Sequence, residues 1–153
     1  MSVTQSFMHR AAALDMLGTR GLTTTTHVLK LALFTNAITP DPDASAANSA
    51  YNAGQYLTAN EVYQAGQWAQ GGVAISGLAL STGTRYVMLD ATDPVSGTNA
   101  TLSGARCGLV YDTQASPVTN QGLSLHNFGA DTGITNGTYT AAISANGILR
   151  ATV

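Results

Sequence analysis

After Gly21 the hydrophobic pattern along the chain takes a period of two. Leu29, Leu31 and Leu33 interleave with Val28, Lys30 and Ala32, a pattern that predicts a strand with Lys30 on its wetter face. Further strands are expected at 73–80, 85–91, 101–111, 122–128, 138–143 and 148–153, with Gly, Asn, Asp or Pro in each gap. Short, closely spaced strands without a second helical pattern among them predict a mainly β protein, an antiparallel β-sandwich or barrel, jelly-roll-like. Residues 5–17 carry the one helical spacing, through Phe7, Ala11, Leu14 and Leu17. Ser2 or Thr4 offers a cap and Gly18 a stop. Asp15 sits where the helix dipole disfavours an acid, so this helix is expected to be marginal alone. The organisation read from the pattern is a helical segment or arm at 1–22 and a β domain at 23–153. Residues 36–56, rich in Ala, Asn, Pro and Asp, read as a long surface loop.

The C-terminal stretch predicts a hairpin around Asn146-Gly147. A three-residue loop, Ala145-Asn146-Gly147, pairs Ile143 with Leu149, Ala141 with Ala151 and Tyr139 with Val153, which makes one face wholly apolar. The opposite face then holds Ser144, Ala142, Arg150, Thr140, Thr152 and Ile148. A two-residue loop mixes the faces, so the longer loop is expected, with Gly147 in a left-handed bulge position. Gly71-Gly72 is expected to turn the chain into the next strand.

Composition sharpens this picture. Of 153 residues, 44% are hydrophobic and 9% charged, against about a quarter charged in an ordinary domain. Thr, Ser, Asn and Gln fill the polar positions instead. That suits pleated surfaces and turns, and it suits a surface partly covered by neighbouring subunits. A net charge of −2, with Lys30 and five scattered arginines, gives no basic stripe for nucleic acid. No apolar run approaches the roughly 18 residues of a membrane span. The N-terminus lacks the unbroken apolar stretch of a signal peptide, so synthesis in the cytoplasm is expected. Asn99-Ala-Thr101 and Asn136-Gly-Thr138 match the glycosylation pattern and are read as turns.

Candidate chemistry is sparse. His9, His27 and His126 lie apart in sequence, on the predicted helix, at a strand start and in a strand. No G-x-S-x-G elbow is present, and Ser81 and Ser103 fall in ordinary turn contexts. His126 reads as a surface or interface residue. Cys107 reads as an inert, reduced core thiol whose neighbour Arg106 points to the other face. Cys107, Leu109 and Tyr111 share one face. Asp41, Asp43, Asp90, Asp93, Asp112 and Asp131 sit in turn-like places, where Asp bonds its own backbone. Asp90-Ala-Thr-Asp93 lacks the spacing of a calcium loop. One Cys and scattered His make no zinc set, and Gly66, Gly71, Gly72 and Gly77 make no phosphate loop. No catalytic residue, metal or cofactor is expected. Tyr51, Tyr56, Tyr63 and Trp68 form an aromatic segment that either covers its own core or faces a partner.

Four pieces of the chain carry a resemblance: KLALFT (30–35), TANEVY (58–63) with Gly71-Gly72, ATLSGARCGLVYD (100–112) and NFGADTGITNGTYTAAISANGILRATV (127–153). They resemble small virion proteins of tailed phages, over roughly residues 28–153. An Ala inserted before Asn60 departs from the T-N-E-V element of that group. The resemblance implies a structural, non-enzymatic role in the virion. The preferred form is a capsid decoration or cement protein, a trimer bound to the major capsid protein at the capsid surface, with no nucleic acid or membrane partner. A tail or head-fibre component is the nearer alternative. A carbohydrate-binding sandwich, with Tyr63 and Trp68 stacking on sugars, is the alternative of a different class. The expected contact residues are Phe7, Leu14, Leu17, Tyr56, Tyr63 and Trp68.

Overall fold

The computed structural model describes residues 3, 6–12, 27–115 and 118–152. Along the chain these form β1 (Phe7–Met8), β2 (Leu29–Phe34), α1 (Ala46–Ser49), a 3-10 turn (Thr58–Asn60), β3 (Glu61–Val62) and β4 (Val73–Ala74). β5 (Ala79–Gly83), β6 (Tyr86–Asp90), β7 (Ala100–Asp112), β8 (Gln121–Gly137) and β9 (Leu149–Thr152) follow. Six strands make one sheet in the order β1-β8-β7-β2-β3, with β4 joining β2 beside β3; β5-β6-β9 make a second. Every pairing is antiparallel. The fold is the expected mainly β sandwich, and its sheets stay open rather than closing into a barrel.

The alternation in β2 is real, but both of its faces are dry. Leu29, Leu31 and Leu33 enter one core with Val110, Leu123, Leu89, Ile148 and Leu149. Ala32 and Phe34 enter a second core with Cys107, Leu109, Tyr111 and Leu125, so the expected common face of Cys107, Leu109 and Tyr111 is observed. What covers this second core is the segment 36–56. Its Ile38 and Tyr56 are fully buried, and Ser45 caps α1 by accepting from the Asn48 N–H. A stretch expected as a surface loop is therefore a lid, because Ile38, Tyr51 and Tyr56 offer it apolar surface to bury. Between β7 and β8 the register slips: Ser124 faces Val110 while Gly122 faces Tyr111. The extra residue, Leu123, turns into the first core and Leu125 into the second, as a bulge permits.

Two further expectations change. Phe7–Met8 form an edge strand against Leu125 and Ser124 instead of helix, and the His9 N–H continues the contact to the Leu123 carbonyl at 2.9 Å. Among the described residues of this segment, helix is present at 10–12; Leu14 and Leu17 lie outside the described residues. An open edge on β8 satisfies backbone groups that a short, marginal helix satisfies poorly. The predicted strand 73–80 divides: β4 joins the large sheet, and Ile75 is buried where the chain crosses to β5 in the small one.

The C-terminal hairpin does not form. β9 pairs with β6, Leu149 opposite Leu89 and Ala151 opposite Val87. Residues 138–143 run beside 93–96 instead, through Ala141 N–H to Pro94 O at 3.0 Å and Ser96 N–H to Tyr139 O at 2.9 Å. Tyr139, Ala141 and Leu149 are buried as expected, but so is Ile148, which the hairpin register put on the opposite face. Consecutive Ile148 and Leu149 both find the core only if the chain leaves 138–143 and joins β6, so burial overrides the turn signal. Gly147 keeps the expected left-handed backbone, with φ of +70°, and a Cβ there would lie 2.5 Å from the Leu89 carbonyl oxygen.

Gly72 carries the tightest backbone approach beside β2. Its φ is +74°, and a Cβ would meet Leu31 O at 2.0 Å and Ala32 N at 2.7 Å. Gly66 has a similar φ of +77° with nothing within 4 Å. Gly66→Ala should therefore cost about 1 kcal/mol, the conformational penalty alone. Gly72→Ala should cost roughly 3 kcal/mol or more, because backbone must move. Denaturant midpoints of the two variants check this; equal losses would mean the contact with β2 is not tight.

Candidate functional site

The residues able to do chemistry are distributed over the fold, and most are held in structural bonds. Glu61, on β3, is the chain's only glutamate and is buried. Tyr51 O–H donates to its Oε2 and Gly71 N–H to its Oε1, both at 2.7 Å. Tyr111 O–H donates to the Gly71 carbonyl at 2.6 Å, and the Tyr51 and Tyr111 rings stack at 5.0 Å. Burial pushes the Glu61 carboxyl above the usual range, and the Tyr51, Gly71 and Gly72 donors oppose that shift. This cluster ties the Gly71-Gly72 turn to β3 and β7. The same burial raises the phenols of Tyr51 and Tyr111.

At the same end of β7, His27 Nδ1 lies 2.6 Å from Asp112 Oδ2. Asp112 is fully buried and also accepts the Gln114 N–H at 2.8 Å. The pair clasps the approach to β2 against the end of β7. His9 sits in the second core, its Nε2 3.0 Å from the Tyr56 hydroxyl, within an edge-to-face series Phe7–His9–Tyr56–Phe34. Burial lowers its pKa to about 4, against a weaker opposing pull from Asp41. Cys107 is buried and its thiol is pushed up to about 12, so it stays protonated and unreactive.

The aspartates follow local turn bonding in part. Asp41 accepts from Asp43 N–H and Asp90 from Ala91 N–H. Asp93 reaches further, accepting the Ile143 N–H at 2.7 Å and pinning 138–143. Asp43 pairs with Arg10 at 3.3 Å and Asp131 with Arg106 at 3.7 Å. Among the described residues, no His, Cys, Asp or Glu side chains gather in a group of three or more that would hold a metal. Ser81 and Ser103, expected in turns, lie on β5 and β7.

Of the expected contact residues, Phe7 is half-buried against the second core, and Tyr56 and Trp68 lie wholly inside. Trp68 meets Tyr139 edge-to-face at 5.7 Å in the first core. Large apolar area drew these rings inward, so neither presents a surface to a partner. Tyr63 alone of the aromatics named for contact is open, at 47% exposure. The stronger surface feature is in the small sheet. Leu80, Leu89 and Leu149 lie in one cross-strand row, and Thr82, Val87 and Ala151 in another two residues away, hence on the same face. Leu89 and Leu149 are buried, while Leu80 is 62% and Val87 43% exposed and Thr82 and Ala151 are open. The core-facing side of the small sheet thus extends past the core it covers. Sequence alone could not separate Leu80 from Leu89, because both belong to the same alternating pattern.

Compared with family models, curated proteins and solved structures, the chain matches none.

The buried His9 gives the fold an acid sensitivity of definite sign. Its folded pKa of about 4 lies below the ordinary 6.5, so the unfolded state binds more protons between these values and stability falls as pH drops through that window. The loss from His9 approaches 3 kcal/mol, about 1.4 per unit. His126 acts in the same direction. Glu61, shifted upward, acts oppositely: its contribution fades as pH rises above its unfolded value. Urea midpoints measured from pH 7 to pH 4 should decline, and His9→Leu should flatten that decline. An unchanged slope in the variant would remove His9 as the cause.

Proposed function

We infer that the protein is a structural component of a phage particle, a decoration or cement protein that binds the capsid exterior and stabilises the shell. The observation that carries this reading is the uncovered end of the small sheet, where Leu80, Val87 and Ala151 continue a core face into solvent. Exposed apolar continuity of this kind suits a protein partner. A charge content of 9% leaves few ionic contacts to guide such docking, which suits a broad, neutral contact with a shell. The four pieces that resemble phage virion proteins also support it, since KLALFT, TANEVY and ATLSGARCGLVYD supply β2, β3 and β7 and the last piece supplies most of β8 and all of β9.

Such a protein stabilises the shell by binding. Many copies each bury a modest area, and attachment at several points makes the coat durable. A closed trimer, bound to the major capsid protein, is the expected form. The aromatic pair that a carbohydrate-binding surface would need is not open, because Trp68 is in the core.

Purified protein added to undecorated capsids should saturate at a copy number set by capsid symmetry and raise the temperature of particle disruption. Leu80→Asp with Val87→Asp should abolish binding while leaving the melting temperature of the free protein nearly unchanged, since both side chains are already in water. Binding should depend weakly on salt. Absence of capsid binding, with only a few copies in native particles, would move the assignment to a tail or head-fibre component.

A further inference from the structure

Ser124 and His126 are two residues apart on β8 and so project from the same face. Ser124 Oγ lies 3.0 Å from His126 Nε2. Both neighbours of this stretch hold its backbone: Met8 of β1 and Val110 of β7 flank Ser124, and Gly108 pairs with His126. The backbone of Ile148, just before β9, lies beside the ring. In the tautomer whose Nε2 is unprotonated, the Ser124 O–H donates to it, the arrangement a general base needs. The pair opens on a cleft of about 310 Å³ between β8 and the segment leading into β9, lined also by Ser6, Ser144, Asn146 and Arg150. An adjoining cleft of about 380 Å³ shares Ser6, His126 and Ser144 with it.

We propose that Ser124 is a nucleophile activated by His126, and that this cleft admits small activated esters whose acyl or phosphonyl group is transferred to Ser124 Oγ. The inference stands apart from the capsid reading, since it uses neither the small sheet's open face nor a partner. Ser124 is 2% exposed, so the reagent has to enter the cleft to reach it, which restricts the site to small substrates. In the transfer, Oγ attacks the carbonyl carbon and its proton passes to His126 Nε2. The bond to the leaving alkoxide or phenoxide breaks, and that oxygen takes the proton from His126. Water then attacks the acylated serine, releasing a carboxylic acid and restoring the hydroxyl. Burial lowers the His126 pKa, so the ring is neutral and able to accept this proton at pH 7. Arg150 in the lining favours esters that carry a negative group.

A small alkyl fluorophosphonate tests the assignment. The Oγ–P bond forms, the P–F bond breaks, and fluoride leaves with the serine proton taken up first by His126. Intact-protein mass spectrometry and peptide mapping should find one adduct on folded protein, at Ser124, and none in Ser124→Ala. His126→Gln should slow labelling by at least about tenfold. On the unsubstituted protein the labelling rate should fall with acid at a midpoint below 6.5, as His126 protonates. This profile carries the test if the His126 variant does not fold. No adduct at Ser124, or an adduct whose rate ignores both His126→Gln and acid, would overturn the proposal.

Discussion

The structure depends on one constraint: the layer formed by β2, the C-terminal half of β7 and the start of β8 is buried on both faces. In a protein of this size, a sheet with one wet face needs half of its positions polar. Here β2 and the adjoining half of β7 have almost none exposed. Two cores follow, one closed by the small sheet and the segments 73–78 and 139–149, the other by the 36–56 segment. The bulge at Leu123 lets one strand feed both cores with consecutive odd-numbered residues, Leu123 and Leu125. Side chains from every part of the described chain converge on this layer, which explains why so few apolar residues remain for the surface.

Three buried ionisable side chains near this layer have specific partners, as a low-dielectric interior favours. Glu61 has Tyr51 and the Gly71 N–H, Asp112 has His27 and the Gln114 N–H, and His9 has Tyr56. The bonds of Glu61 and Asp112 join loops to strands, and that of His9 joins the 36–56 segment to the residue after β1, so these clusters set where the lids close rather than forming open reaction centres. The cleft beside Ser124 and His126 differs, because it borders open space at the edge of the sandwich. The uncovered end of β5-β6-β9 differs in another way: its apolar face is continuous with a core and has no covering segment among the described residues.

Ser124 and His126 stand in an i, i+2 relation inside a predicted strand, yet nothing local says that the two side chains touch or that Ile148 approaches them, so the sequence reading left His126 as a surface or interface residue. The same holds for Glu61: the residue is conspicuous as a lone glutamate, but its partners come from Tyr51 and Gly71, ten residues away on either side. Tyr56, Trp68 and Tyr63 have similar sequence surroundings and opposite fates. Burial of the first two reflects which cavity each ring can reach, a long-range property.

Sequence by itself determined the antiparallel β class, the alternation in β2, the shared face of Cys107, Leu109 and Tyr111, the need for Gly at 72 and 147, and the absence of familiar motif spacings. These follow from side-chain period and backbone sterics, which act within a few residues. Tertiary structure alone decided that β1 is a strand, that 36–56 is a lid, and that β9 pairs with β6 instead of folding back on 138–143. A strand's partner is chosen by which pairing removes the most apolar surface from water. For Ile148 and Leu149 that surface belongs to residues more than fifty positions earlier in the chain, such as Leu89.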